Sequence, residues 1–240
     1  MNALVLAAGK SRRIESVAQG KPKPLIEING EPVLAHNLKN LARYQIKEVW
    51  INLHHKADEI RSAIGDGKQW NLSISYSYEK EILGTAGAVK NLASIFGRET
   101  FLVVYGDNLT DCNLDRLLNN HRKSGSLATI AAFDCAKSVY SGIIGGKIEI
   151  NKDDQVIDFV EGNHAHMIQS NWVNAGVYAL EPEIFSFMPE GFSDFGKDVF
   201  PKALQNGEKI SIFRHEGYCL AIDTPESYAK ALQNASMLTR

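Results

Sequence analysis

Residues Ala3–Ala8 form an uncharged run, Ala-Leu-Val-Leu-Ala-Ala, that stops at Gly9 and gives way to a basic loop of Lys10, Ser11, Arg12 and Arg13. A run this short, apolar at every residue and rich in Val and Leu, has no polar face to turn to water. It therefore predicts a buried parallel strand. Loops leaving the carboxyl ends of such strands are where α/β sheets bind ligands. The N–H groups of a glycine-containing loop can form an anion nest, and cationic side chains add charge, so the expected ligand is a polyphosphate. Two familiar phosphate motifs fail. Walker A needs glycine at position 4, where Leu4 stands, and no Gly-x-Gly-x-x-Gly follows Gly9. Taken alone, the loop reads equally well as a surface turn with solvated basic residues.

The length of 240 residues suits one α/β domain at the upper end of its range, or two tightly fused lobes. With 44% hydrophobic and 22% charged residues the chain is not disordered. A net charge of −2 supplies no drive towards nucleic acid or an anionic membrane, so neither is an expected partner. Phosphate affinity must instead be local, in a cluster such as Arg12, Arg13, Lys21 and Lys23. The three cysteines, Cys112, Cys135 and Cys219, share no C-x-x-C spacing and suggest a reducing compartment. No apolar run approaches the ~20 residues of a membrane span, and the N-terminus enters a strand directly. A cytoplasmic protein is expected.

Strands are predicted at Glu48–Leu53, Ser73–Tyr78, Phe101–Tyr105 and Leu127–Phe133. Helices are predicted from Pro32 through Leu41, over Lys56–Ile64, within Gly84–Phe96 and over Leu114–Arg122. Leu25–Ile28 followed by Asn29-Gly30 signals a turn. This alternation marks a parallel sheet covered on both faces. The second half is richer in strands. A hairpin is expected from Lys147–Ile150 and Val156–Val160, with strands at Val173–Leu180 and Ile210–Phe213. Helical turns should begin at Pro182 and cover Phe195–Leu204. Thr224, Pro225 and Glu226 read as N-cap, first position and first-turn acid of a last helix. No repeat or β-helix pattern is present.

Three further features bear on chemistry. Asp107 follows an apolar strand and a glycine, and Asp223 follows Leu220-Ala221-Ile222 and precedes a helix. Two carboxylates near a polyphosphate loop could hold Mg²⁺ with few protein ligands, as that ion prefers. Each alone is equally a strand-end or N-cap aspartate. Leu83-Gly84-Thr85-Ala86-Gly87-Ala88 combines glycines, a hydroxyl and amides suited to a nucleobase, or else a closely packed helix start. Glu161 and Asn174-Ala175-Gly176 offer polar groups for a second substrate's hydroxyls.

In this order the motifs resemble the sugar-1-phosphate nucleotidylyltransferases. The family's L-A-A-G-x-G-T-R-L and P-K-P-L are matched by Leu6-Ala7-Ala8-Gly9-Lys10-Ser11-Arg12-Arg13-Ile14 and Pro22-Lys23-Pro24-Leu25. Glu79 with Leu83–Gly87 looks like the nucleobase segment, Gly106-Asp107 like the metal-binding G-D, and Asn174-Ala175-Gly176 like the sugar-side N-A-G. The likeness runs from Asn2 to about Tyr228. It implies a Rossmann-like α/β fold with a mixed, mainly parallel sheet and helices on both faces, the nucleotide-diphospho-sugar transferase fold. A nucleotide-binding half (about 1–110) would precede a β-rich sugar-phosphate-binding half (about 111–240) in a single domain.

The resemblance also implies roles. A nucleoside triphosphate and a sugar 1-phosphate would be the substrates, and the sugar phosphate would attack the α-phosphorus in line. Lys23 would bind at the α-phosphate and the sugar phosphate, and Arg13 with the Gly9–Arg13 amides would hold the β- and γ-phosphates. Nucleotide contacts would come from Leu6–Arg13 and from Glu79, Gly84, Thr85 and Ala86. Asp107, Asn108, Gly142, Glu161 and Asn174 would serve the sugar phosphate, and Asp107 and Asp223 would hold Mg²⁺. Dimerisation through the hairpin half is a further family expectation. Glu79 with Leu-Gly-Thr-Ala-Gly looks most like guanylyl transfer to mannose or heptose 1-phosphate. Uridylyl, thymidylyl or cytidylyl transfer, and a non-catalytic nucleotide-sugar-binding regulatory subunit, are the alternatives.

The chain departs from the pattern in three places. Ser11 replaces the second loop glycine, a change of order 1 kcal/mol if that position needs φ > 0. Gly162 replaces the usual lysine of Glu-Lys-Pro, leaving Lys137, His164 and His166 as candidate substitutes. The closing D-x-G-T-P becomes Ala221-Ile222-Asp223-Thr224-Pro225, as in the cytidylyltransferase branch.

Overall fold

A computed structural model of the chain describes residues 1–10, 12–142, 145–162 and 168–234. Ser11, the side chain of Arg12, and His164 and His166 lie outside the described residues. The strands are β1 (Asn2–Leu6), β2 (Glu27–Ile28), β3 (Glu31–Pro32), β4 (Glu48–Leu53), β5 (Ser73–Tyr78), β6 (Phe101–Tyr105), β7 (Asn108–Thr110), β8 (Ala128–Asp134), β9 (Gly146–Ile150), β10 (Val156–Glu161), β11 (Trp172–Leu180), β12 (Ile210–Arg214) and β13 (Cys219–Ala221). The helices are α1 (Glu15–Ala18), α2 (Val33–Arg43), α3 (Ala57–Ile64), α4 (Gly84–Lys90), α5 (Ala93–Phe96), α6 (Leu114–Ser124), α7 (Phe200–Gln205) and α8 (Pro225–Gln233).

The apolar N-terminal run becomes β1, deep within a sheet of nine strands among the described residues. It lies parallel to β4 on one side and β6 on the other, and β5 continues beyond β4. Alternate residues face opposite layers. Ala3 and Val5 pack with Leu34, Leu38, Ile60 and Leu117, and Leu4 packs with Ala88, Phe96 and Phe101. Both faces are apolar because both are covered. After β1 the chain runs outward to β4 and β5 and then returns to β6 on the other side. That reversal is a topological switch point, where a crevice opens at the carboxyl ends of the strands. The register pairs Leu6 with Tyr105, and Gly106 N–H donates to Leu6 O at 2.9 Å. The Gly9 loop and Asp107 therefore leave the sheet at one level.

Regular parallel alternation ends at β6. The strand beside it is β11, which is antiparallel, and β8 pairs with β11 and runs parallel to β12. The β9–β10 hairpin joins the same sheet through Val173 of β11. The residues around 84–96 divide into α4 and α5, and the expected helix from Phe195 opens as a π turn (Phe195–Val199) before α7. Pro182 opens a 3₁₀ segment.

Asn108–Thr110 forms a strand that local sequence does not signal. It pairs antiparallel with β13, Ala221 opposite Asn108, and Ile222 N–H reaches Asp107 O at 3.3 Å. This small ladder stands apart from the main sheet, on a third apolar cluster made of Ile14, Ile26, Ile28, Val33, Leu109, Leu220, Ile222 and Ala231. Thr224 caps α8 in a full capping box. Its hydroxyl accepts from Ser227 N–H, and the Ser227 hydroxyl accepts from Thr224 N–H. Because the cap fixes the chain direction immediately after Asp223, Thr224→Ala should lower stability by about 1 kcal/mol in denaturant unfolding. An unchanged midpoint would contradict the role given to the cap.

Candidate active site

Lys23 is 6% exposed, and its ammonium is bound between two carboxylates. Nζ donates to Asp107 Oδ2 at 2.5 Å and to Asp223 Oδ1. Burial alone would push its pKa down, but the two aspartates outweigh that and hold it above the ordinary lysine value. Lys23 lies in a 3₁₀ turn (Lys23–Leu25) started by Pro22, and the β7–β13 ladder brings in the two aspartates. Arg13 Nη2 lies 3.6 Å from Asp223 Oδ1. Among the described residues no group of three or more His, Cys, Asp or Glu could hold a metal ion. The Asp107–Asp223 pair is nevertheless a set of hard oxygen donors already gathered around one cation. That donor set fits Mg²⁺, which takes one or two protein carboxylates with water and phosphate oxygens.

Two cavities meet at Tyr105 and Asp107. The first, of about 280 Å³, is lined by Leu6, Ala8 and Gly9 of the N-terminal loop, by Asn52, Glu79, Ile82, Gly84 and Thr85, and by Phe192 and Asp194. Its floor is a buried hydrogen-bonded chain. Asn52 Oδ1 accepts from Ala7 N–H at 2.7 Å, Asn52 Nδ2 donates to Glu79 Oε1 at 2.8 Å, and Glu79 Oε2 accepts from Leu83 N–H at 3.0 Å. One carboxylate thus ties the first strand's exit to the glycine-rich segment. The Thr85 hydroxyl donates to Asp194 Oδ1 at 3.2 Å and accepts from Phe195 N–H at 2.9 Å.

The glycines of that segment have a definite packing role. A Cβ on Gly84, where φ is +76°, would lie 2.4 Å from Ser193 O, and one on Gly87 would lie 2.3 Å from Gly191 O. The amides of Thr85, Ala86 and Gly87 are taken by Asp194 Oδ1 and Ser193 O. They are therefore engaged within the protein, and Ala86 is buried away from the cavity.

The second cavity, of about 220 Å³, is lined by Arg13, Tyr105, Asp107, Asn108, Phe133, Gly145, Glu161, Asn174, Cys219, Ala221 and Asp223. Gly176, at φ +74°, lets the chain bulge at Asn174–Tyr178. A Cβ there would come within 2.8 Å of Asn108 Nδ2 and 2.9 Å of Tyr105 Cβ. Asn108 Nδ2 donates to Ala175 O at 3.3 Å. Glu161 faces the same space, packed on Gly196, where a Cβ would fall 2.3 Å from its Cδ. Burial, with Asp194 and Asp198 nearby and only partly offset by Lys197, pushes its pKa up to about 7.

Several expected site residues stand elsewhere. Lys10 lines a separate cleft with Lys21, His55 and Lys56. Arg13 lines the second cavity and not the first. Gly142 lines neither, and the Lys230 ammonium lies against it. Gly162 is in the left-handed region at φ +73°, a conformation that disfavours a lysine there. Lys137 pairs with Asp134 on the surface at 3.2 Å. Sequence reasoning did not find Asn52, Tyr105, Phe192 or Asp194. Asn52 had a signal, being an amide inside an otherwise apolar buried strand. Asp194 had none.

The sheet order, the switch-point crevice and the paired cavities define a protein of the nucleotide-diphospho-sugar transferase fold. HddC of Yersinia pseudotuberculosis superposes with a TM-score of 0.80 at 26% identity, over 97% of this chain and 98% of that one, and has also been solved complexed with GMP-PN. The nucleotidyl transferase family pattern covers residues 2–236, and the chain belongs to that family. A UTP–glucose-1-phosphate uridylyltransferase of Synechocystis is 32% identical over 86% of this chain and 56% of its own length. A mannose-1-phosphate guanylyltransferase of Mycobacterium tuberculosis is 28% identical over 96% of this chain and 63% of its own. The chain thus spans less than two thirds of these two relatives. No described helix is long and apolar enough to cross a membrane.

Because the Glu161 carboxyl holds its proton to a higher pH when folded than when unfolded, the folded state loses stability as pH rises from about 4.5 to 7. Glu161→Gln removes that cost. Its melting temperature should exceed the wild type's at pH 8, with the gap closing as pH falls towards 4.5. A gap independent of pH would contradict the assignment.

Proposed function

We propose that this protein joins a nucleoside triphosphate, GTP in preference, to a sugar 1-phosphate of the mannose or heptose type, releasing pyrophosphate. The observation that carries the proposal is the meeting of two cavities at Asp107, with Lys23 bound both to that residue and to Asp223. Two substrates meeting at one charged group suit in-line displacement at the α-phosphorus. Such a reaction asks for positioning and charge stabilisation more than covalent chemistry. The attacking phosphate monoester is already largely ionised at pH 7, so no protein base is required.

The protonated Lys23 is held where α-phosphate charge develops, and desolvation makes a fixed cation there worth more than one in water. Asp107 and Asp223 would hold Mg²⁺, which when bound neutralises phosphate charge and aligns the two substrates. Arg13 brings positive charge to the cavity assigned to the sugar phosphate, where the family lysine is replaced by Gly162.

The choice of base rests on Glu79. A carboxylate only accepts hydrogen bonds, and with one bond from Asn52 and one from Leu83 it retains lone pairs facing the cavity. Guanine offers N1–H and N2–H donors side by side, whereas uracil offers a single N–H between two carbonyls. The GMP-PN complex of HddC supports the same reading.

Pyrophosphate release from a panel of nucleoside triphosphates and sugar 1-phosphates tests the proposal. Turnover with GTP is expected. Saturable nucleotide-sugar binding with no turnover for any pair would instead make the protein a non-catalytic binding subunit. Glu79→Gln should shift the GTP-to-UTP ratio of kcat/KM towards UTP by on the order of tenfold, and an unchanged ratio would remove Glu79 from base selection. Lys23→Ala should lower kcat by about 100-fold or more with a much smaller change in KM.

A further inference from the structure

A buried line of hydroxyls joins the walls of the two cavities. Asn174 Nδ2 donates to Tyr178 Oη at 2.7 Å, and Tyr178 Oη donates to Tyr105 Oη at 3.1 Å. The other end of the Asn174 side chain is fixed as well, Oδ1 accepting from Gly176 N–H at 2.8 Å. Tyr178 is 0% exposed and lines neither cavity, yet its neighbours on the line do. Asn174 lines the second cavity, and Tyr105 lines both. The phenol rings cross edge to face, with centroids 5.6 Å apart.

The donors can be followed one by one. Asn174 spends one amide hydrogen on Tyr178 and keeps the other. Tyr178 spends its only hydrogen on Tyr105. Tyr105 keeps its own hydroxyl hydrogen, and its hydroxyl also meets the Thr85 hydroxyl of the first cavity. Burial pushes both phenols above their ordinary pKa, and the nearby Glu161 carboxylate adds to this, so both stay protonated at neutral pH. The direction of donation follows from the amide at one end, which cannot accept through nitrogen.

We propose that Tyr178 is a positioning residue. It fixes the Asn174 amide so that its remaining hydrogen faces the sugar-phosphate cavity. This rests on the nucleotidyl transfer reading and assigns the sugar side of that site. Removing the Tyr178 hydroxyl leaves the amide held at its oxygen alone, by Gly176 N–H, so its nitrogen end is no longer fixed towards the sugar. The loss falls on the acceptor sugar, because the Asn174 that Tyr178 holds lines only the second cavity.

The experiment is steady-state kinetics on Tyr178→Phe with the best substrate pair. The expected result is a KM for the sugar 1-phosphate raised about tenfold, with the KM for the nucleotide and kcat within about threefold of wild type. In an Asn174→Ala background the same change should add nothing further, because the amide it orients is gone. A wild-type KM for the sugar phosphate, a rise in both KM values together, or full additivity with Asn174→Ala would overturn the proposal. Tyr105→Phe provides a second route should Tyr178→Phe fold poorly. It deletes the acceptor that orients the Tyr178 hydroxyl and should also raise the KM for the sugar phosphate, and wild-type kinetics would overturn the proposal. Absence of turnover by the wild-type protein would instead mark failure of the nucleotidyl transfer reading, so the two failures are distinct.

Discussion

The site depends on one buried cation held by two carboxylates. Lys23 lies 84 residues from Asp107 and 200 from Asp223, yet a single ammonium binds both. Burying the ammonium is favourable only while both carboxylates are present and well placed, because removing either leaves it desolvated and less compensated. Much of the fold serves that placement. The β1–β6 register brings Asp107 level with the N-terminal loop, the β7–β13 ladder carries Asp223 to it, and the Thr224 cap turns the chain away at once. The third apolar cluster supports the ladder from beneath.

The two cavities differ in how their polar groups are prepared. Around Glu79, both carboxylate oxygens already accept a hydrogen bond, so that wall is ordered before any ligand arrives. The Glu161 carboxyl, by contrast, receives no hydrogen bond or ion pair from the described residues. Its pKa is raised by burial and by two other acids. A group in that state gains from a hydroxyl donor, which an incoming sugar supplies. Preorganisation on one side and an unmet acceptor on the other suit a rigid base and a hydroxyl-rich partner respectively.

Much of the architecture was legible because the relevant signals are local. Glu48–Leu53, Ser73–Tyr78 and Phe101–Tyr105 are strands with the expected limits, since each is an apolar or alternating run between clear breaks. What escaped is non-local. Asn108–Thr110 is too short to show a period, and its partner lies in the last part of the chain. The antiparallel insertion of β11 beside β6 follows from pairing, which no window of sequence reveals. The glycine-rich segment was read as a base platform or a packing device, and its amides prove to be engaged by Ser193 and Asp194. Asp194 was invisible for the same reason, since an acid in a loop acquires meaning only from the Thr85 it meets.

The absence of two methyl groups, at Gly84 and Gly87, has an architectural consequence. It lets residues 191–194 lie directly on α4, so the roof of the cavity lined by the N-terminal loop is made by chain from the opposite end of the sequence. Arg13 makes the reciprocal crossing into the other cavity. The halves of the polypeptide are thus interleaved at the site, and a fragment ending after β6 would own the loop but lack its ceiling. The two pockets are one crevice partitioned by Tyr105 and Asp107.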